Sequence, residues 1–179
     1  MSFKTVIGQL PRIETEWVRP LDPGSYRLAS FLLMRLLGLI YTLAFLSLSN
    51  QFGPLIGSDG LLPASLYLEK IARSVEGSTA AWALMPTIFW FDASDATLQA
   101  FCHLGLLLSL LLLCGLTNVF QLIVLWAIYL SFNKVGQIFY GYGWEILLLE
   151  CGFLAIFLAP LGRRQAPSPA ALIWLYRWV

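Results

Sequence analysis

Four ionisable side chains lie inside or at the mouth of long apolar runs: Arg35, His103, Glu145 and Glu150. Charged groups at membrane depth are expensive, about 2.5–3.5 kcal/mol each on insertion scales, so each needs a partner or a task. At ~1.5 Å per residue, Arg35 sits roughly 12 Å into its run and Glu150 roughly 15 Å from the same face. Pairing the two would remove much of the cost, and the expected arrangement is an Arg35–Glu150 ion pair inside a bundle. His103 falls near the same midplane. It suits a hydrogen-bonded core position completing a polar cluster of Arg35, His103 and Glu150, or, as the less favoured reading, a ligand to haem or chlorophyll. Glu145 and Glu150 are five apart, about 140° around a helix, so they do not form a two-carboxylate acid–base pair. The sole histidine lies in an apolar run, which leaves no Ser/His/Asp constellation in the polar loops, and no Gly-rich phosphate cradle is present. The polar groups therefore read as interhelical pairing that fixes one packing, with a substrate or proton path as the alternative. No catalytic residue, metal site or resident cofactor is expected.

Such residues need long helices to hold them at depth, and the composition supplies them. Of 179 residues, 59% are hydrophobic and only 12% charged, with a formal net charge of +1. Soluble domains carry about 25% charged residues. So few charges exclude a soluble monomer and a disordered chain, and without a basic stretch there is nothing to meet nucleic-acid phosphates. Cys102, Cys114 and Cys151 all fall in apolar runs and read as small buried hydrophobes.

The expected architecture is an all-α membrane protein, a four-transmembrane-helix bundle with an amphipathic interfacial loop. Hydrophobic runs place the spans at about 28–49, 95–115, 118–133 and 144–160, the membrane domain covering 27–161. Residues 1–26 read as an interfacial lead-in and 162–179 as a cytoplasmic or interfacial tail. The outer loop, 51–94, combines an amphipathic stretch, SLYLEKIARSVEG, with AAWALMPTIFWF, which is too short to span and suits the aromatic belt at headgroup level. Asp92 and Ser94 supply helix-capping chemistry before the second span. Lys4, Arg12, Arg19, Arg27, Arg163, Arg164 and Arg177 flank the terminal side, against Lys70, Arg73 and Lys134 on the other, so both termini are expected in the cytoplasm. Gly38, Gly105, Gly115 and Gly152 favour close helix approach.

Three stretches carry a resemblance: LMRLLGLIYTLAFLSLSNQFGPLIGSDGLLPASLYLEK, FWFDASDATLQ, and NKVGQIFYGYGWEILLLECGFLAIFLAPLG. In order and spacing the chain resembles the lipase maturation factor family from about Leu33 onward. The matching motif residues are Gln137, Tyr140, Gly141, Gly143, Trp144, Glu145 and Glu150, of which all but Glu150 form an outer turn. The resemblance implies a non-catalytic integral membrane protein that assists folding or assembly of a client, as family members in the endoplasmic reticulum do for secreted dimeric lipases. Family members continue with further spans and a lumenal region, which makes this chain a truncated relative or a fragment. The implied partners are membrane lipids and other membrane or secreted proteins, and the address a bacterial inner membrane or the endoplasmic reticulum. A structural accessory subunit of a respiratory or photosynthetic complex is the alternative. An intramembrane enzyme is a remoter one, through the family's distant similarity to vitamin K-dependent carboxylase membrane domains.

Overall fold

The computed structural model describes residues 27–75 and 78–159, so the interfacial lead-in and the tail expected at 1–26 and 162–179 lie outside the described residues. Among the described residues regular structure is entirely helical: α1 (Arg27–Ile56), α2 (Ala64–Ser74), α3 (Ser78–Leu84), a 3-10 turn (Ile88–Trp90), α4 (Asp95–Cys114), α5 (Val119–Val135), a second 3-10 turn (Gln137–Phe139) and α6 (Gly143–Leu158). Ser30–Ile56 of α1 and the whole of α4 are long and apolar enough to cross a membrane, each with mean hydropathy 2.0. The helix α5 is apolar but shorter, and α6 has 16 described residues. The bundle's two ends are the loop end, where α4 and α6 begin, and the connection end, where α4 turns into α5.

The first span runs further than hydropathy suggests. The apolar run ends near residue 50, but the α1 helix continues through Pro54 to Ile56. The chain then folds back so that Leu61 and Leu62 donate backbone N–H bonds to the Pro54 and Leu55 carbonyls at 3.0 and 2.9 Å. Those are carbonyls that a helix end leaves without intrahelical partners, so the fold-back is what allows the extension to persist.

At the loop end of α4 the expected capping chemistry is present. Ser94 is the N-cap and its hydroxyl accepts from the Thr97 N–H. Asp92 accepts from the Ser94 N–H at 3.0 Å, the Ser94 hydroxyl at 2.8 Å and the Thr97 hydroxyl. Asp95 reaches across to the turn after α1, accepting from the Ser58 N–H at 2.8 Å and the Ser58 hydroxyl at 2.6 Å. At the other end Gly115 closes α4 with φ 110°. The N–H of Leu116 bonds to Leu111 O at 2.9 Å and that of Gly115 to Leu112 O at 3.2 Å, the left-handed stop that glycine allows without strain. The tight connection follows, and Asn118 caps α5 by accepting from the Phe120 N–H.

Helix α1 packs most extensively on α4, and α6 packs chiefly on α5. Two glycines set the α1–α4 distance. A Cβ on Gly38 would lie 2.7 Å from the Leu113 backbone nitrogen, while Gly105 on α4 receives the fully buried ring of Phe45. Gly152 on α6 makes the same kind of room for the Tyr41 hydroxyl.

The outer loop differs from a surface-lying strap. Met85, Thr87 and Phe89 are buried, and the Phe89 ring packs against Phe132 of α5 at 4.8 Å and Phe101 of α4 at 5.9 Å. The alternation of small, polar and aromatic residues in AAWALMPTIFWF concealed an inward-facing set. Along the amphipathic helix α2 the apolar side chains divide: Leu68 is buried, but Leu66 is exposed.

Two outcomes follow. Gly38→Ala forces α1 and α4 apart against backbone, and is expected to lower stability in detergent by about 1–3 kcal/mol. Gly53→Ala, where a Cβ meets nothing within 4 Å, should be neutral or stabilising through helix propensity; an equal loss in both would overturn the close-approach argument. The three hydrogen bonds at Asp92 hold its carboxyl below the usual carboxylate range. A depressed folded value means its contribution is present above about pH 4, the unfolded carboxylate value, and is lost as pH falls through the folded one. Thermal melts of the parent and of Asp92→Asn should therefore differ at neutral pH and converge in acid.

Candidate functional site

The residues with unusual environments gather where α5, the second 3-10 turn and α6 meet α1. Glu145, in the first turn of α6, is only 2% exposed. Its carboxyl group accepts a hydrogen bond from the hydroxyl of Tyr129, itself 2% exposed on α5. The Tyr129 ring stands edge-on to Tyr41 of α1 at 5.4 Å and to Phe45 at 5.5 Å. Tyr41 in turn donates to Leu148 O of α6 at 3.3 Å, through the gap left by Gly152. One helical turn before Tyr129, Trp126 donates its indole N–H to Leu149 O at 3.0 Å. Three aromatic side chains from two helices thus bond to α6, one to a carboxyl group and two to carbonyls. Trp126 and Tyr129 are three apart, which puts both on the α6 face of α5.

The turn itself is held from both sides. Asn133 donates to Tyr140 O at 2.6 Å, and Gln137 donates to Leu62 O at 3.3 Å, tying the turn to the fold-back after α1. Gln137 adopts φ 51°, the left-handed region that a non-glycine residue enters only when its surroundings fix it. Gly136, just before it, lies under the Tyr140 ring, where a Cβ would clash. The Tyr140 hydroxyl is buried without a hydrogen-bond partner among the described residues. Burial, with Glu145 nearby, pushes that phenol well above its ordinary range. A Cβ on Gly141 would lie 3.3 Å from Gln137 O, whereas Gly143 has open space. Trp144 is half exposed and lines an apolar groove of about 530 Å³ between α6 and α1, with Leu36, Ile40, Leu147 and Cys151 among its walls.

The expected Arg35, His103 and Glu150 cluster is not assembled. Arg35 donates to Leu112 O at 2.6 Å, its guanidinium carbon lies 4.6 Å from the Phe31 ring centroid, and its head group lies against Gly115. It caps the carbonyl end of α4, where the helix dipole is negative, so a cation there is matched without a carboxylate. Glu150 is exposed, on the face of α6 away from the buried set Glu145, Leu148, Gly152 and Ala155. His103 is exposed on α4, next to but not on the stripe of Cys102 and Gly105 that faces the bundle. His103 lies twelve positions before Gly115 on α4, roughly 18 Å along the helix from the Arg35 head group, and Glu150 faces away from the bundle, so neither depth nor direction brings the three together. Among the described residues the one ion pair is Arg73–Glu69 within α2, and no group of three His, Cys, Asp or Glu side chains is arranged to hold a metal. Cys102 is buried, as expected, but Cys114 is exposed and Cys151 half-buried.

Tyr129 and Tyr41 are the residues missed by reading ionisable groups alone. Their signal was a phenol hydroxyl inside an apolar run, which needs a partner as surely as a charge does. The arrangement does one thing chemically: it satisfies a buried carboxyl with a phenol and locks α5 to α6. Tyr129→Phe leaves Glu145 without that donor and should cost about 1–3 kcal/mol, measured by unfolding in mixed micelles. Glu145→Gln in the same background should cost less than in the parent protein, because contacting pairs are non-additive. Glu150→Gln should stay within about 0.5 kcal/mol of the parent, as exposed substitutions do. Full additivity of the first pair would mean the contact is not energetically coupled.

Comparison with known proteins places this chain in a family. The model of the lipase maturation factor transmembrane domain matches residues 28–179. Mouse lipase maturation factor 1 is 42% identical over 170 residues, covering 89% of this chain and 30% of its own length. The human lipase maturation factor 1 is 35% identical over the same shares. Lipase maturation factor 2 of Xenopus laevis is 36% identical over 172 residues, covering 87% of this chain and 24% of its own. The chain therefore spans less than a third of the length of these relatives. No solved structure matches it. The match takes in α1 through α6 from its second residue, including the Tyr129–Glu145 contact and the turn it closes, and the chain belongs to the lipase maturation factor family.

Proposed function

We propose that this chain is the membrane-embedded part of a non-catalytic maturation factor, which assists a secreted or membrane client, a lipase by the names of its relatives, to fold or assemble. The single observation that carries the reading is the match of the transmembrane domain across residues 28–179. The use made of polar groups supports it. Arg35, Tyr41, Gln121 and Trp126 each donate to a backbone carbonyl of another helix, and Tyr129 donates to Glu145. These are packing roles, and they suit a scaffold.

In this proposal α1, α4, α5 and α6 all cross the bilayer, and both termini face the cytoplasm, as the distribution of Lys and Arg suggests. The loop end then faces the compartment where secreted proteins fold, the lumen of the endoplasmic reticulum or a bacterial periplasm. The turn built by Gln137, Tyr140, Trp144 and Glu145 is on that side, where client contact would occur.

The test is purification of the protein from its native membrane in mild detergent after a short isotopic pulse. Newly made secreted or membrane proteins should accompany it in substoichiometric amounts and leave during a chase. A fixed stoichiometric set of subunits that survives the chase would overturn the proposal.

A further inference from the structure

The segment between α2 and α4 is tied to the bundle in a way that fixes its depth. The Ile88 N–H donates to Ser131 Oγ at 3.0 Å, and the Thr87 hydroxyl donates to Ser131 O at 3.4 Å. Ser131 is four residues before the end of α5, and Phe101, which touches Phe89, is six residues after the start of α4. At ~1.5 Å per residue these contacts lie roughly 6 and 9 Å below the helix ends. The first 3-10 turn is therefore sunk along the side of the α4–α5 pair, not laid across its top.

Its chemistry is that of a lipid-embedded piece. From Ser78 to Phe91 the sequence contains no Asp, Glu, Lys or Arg. Backbone at membrane depth must have its polar groups satisfied by protein. The N–H of Met85 bonds to Ala81 O, that of Ile88 to Ser131, that of Phe89 to Thr87 Oγ1, and that of Phe91 to Ile88 O. The Trp90 indole donates to Met85 O at 2.8 Å. Meanwhile this segment carries exposed large apolar side chains: Leu84 is 64% exposed, Phe91 is 83% exposed, and Trp82 stands edge-on to Phe91 at 5.4 Å. Helix α4 likewise exposes large apolar side chains, Leu104, Leu107 and Leu110. Asp92, immediately after Phe91, is exposed.

We infer that Trp82, Leu84 and Phe91 are embedded in the acyl-chain boundary of the leaflet at the loop end, making the 78–91 segment a re-entrant wedge that binds lipid. The depth agrees with the ~5–10 Å at which interfacial apolar faces settle, and a Trp–Phe pair suits the belt just below the headgroups. The wedge holds the loop end of α4 and α5 at the membrane surface and leaves the charged face of α2, with Glu69, Lys70 and Arg73, in water. The inference rests on α4 crossing the bilayer.

The experiment places a bimane label at single cysteines, Phe91→Cys, His103→Cys or Lys70→Cys, with Cys102, Cys114 and Cys151 replaced by alanine. Each protein is reconstituted into phosphatidylcholine vesicles with or without a spin label at carbon 5 of the acyl chain. Position 103, on the exposed face of α4, reports whether that helix spans, and position 70 is the aqueous reference. Lipid spin label should diminish emission at 91 as strongly as at 103, while aqueous iodide should quench only at 70. Iodide quenching at 91 with lipid quenching retained at 103 would overturn the wedge alone. Iodide quenching at 103 would overturn the spanning reading of α4 and the wedge with it. A label at 91 that is wet in vesicles and shielded only after a soluble protein is added would overturn the lipid assignment in favour of a protein surface.

Discussion

A carboxyl group closed off from water inside a bundle of apolar helices must be met by a donor, and much of this structure follows from how Glu145 is met. The donor is a phenol from the preceding helix, not a cation. That choice fixes the rotation of α6, because Glu145 can face Tyr129 only if Leu148, Gly152 and Ala155 face inward with it. The same rotation sends Glu150 outward. It also brings Leu148 O and Leu149 O under Tyr41 and Trp126, which use them as acceptors. An ion pair between buried groups would have had to offset two desolvation costs. A phenol carries no charge, so the contact asks less of its surroundings.

Arg35 answers the same constraint at the opposite end with another device. A helix that stops inside or near a membrane leaves carbonyl oxygens without partners, and α4 stops at Gly115. The guanidinium donates to one of those oxygens and lies over Phe31, so its charge is matched by a helix dipole and an aromatic face together. Gly115 is needed for its left-handed φ, and a side chain there would also have to displace the Arg35 head group. A helix end and a half-buried cation thereby solve each other's problem.

The sequence was informative about where elements run and less so about what they face. The helix start at Asp95 was legible because Asp92 and Ser94 announce it locally, whereas Asn118 as the cap of α5 and Gly115 as the left-handed stop of α4 emerge only from the structure. Family membership was legible because the Gly-Tyr-Gly-Trp-Glu turn and the second glutamate keep their spacing. Side-chain direction was not legible. In an α-helix hydrophobic all round, apolar periodicity is too weak to tell the inner face from the lipid face. For that reason depth alone paired Arg35 with Glu150 and drew His103 into the group. The turn at Gln137 was illegible for a different reason: its left-handed φ is imposed by Leu62 and the packed Tyr140 ring, contacts distant in sequence or made only once the turn forms.

The loop end is where these constraints converge. Asp95 binds the turn after α1, Gln137 binds Leu62 O in the fold-back that follows, and Ser131 holds the wedge of Thr87 and Ile88. Each tie joins segments far apart in the chain, and at Gln137 and Ser131 loosening it would leave a part-buried polar group without its partner. A surface held this way loses little conformational freedom when something binds to it, which favours association that is weak in contact area yet specific in shape. Such a rigid loop end suits the client-assisting role proposed above better than a deep pocket would. The polar interior of the bundle is spent on holding that loop end still.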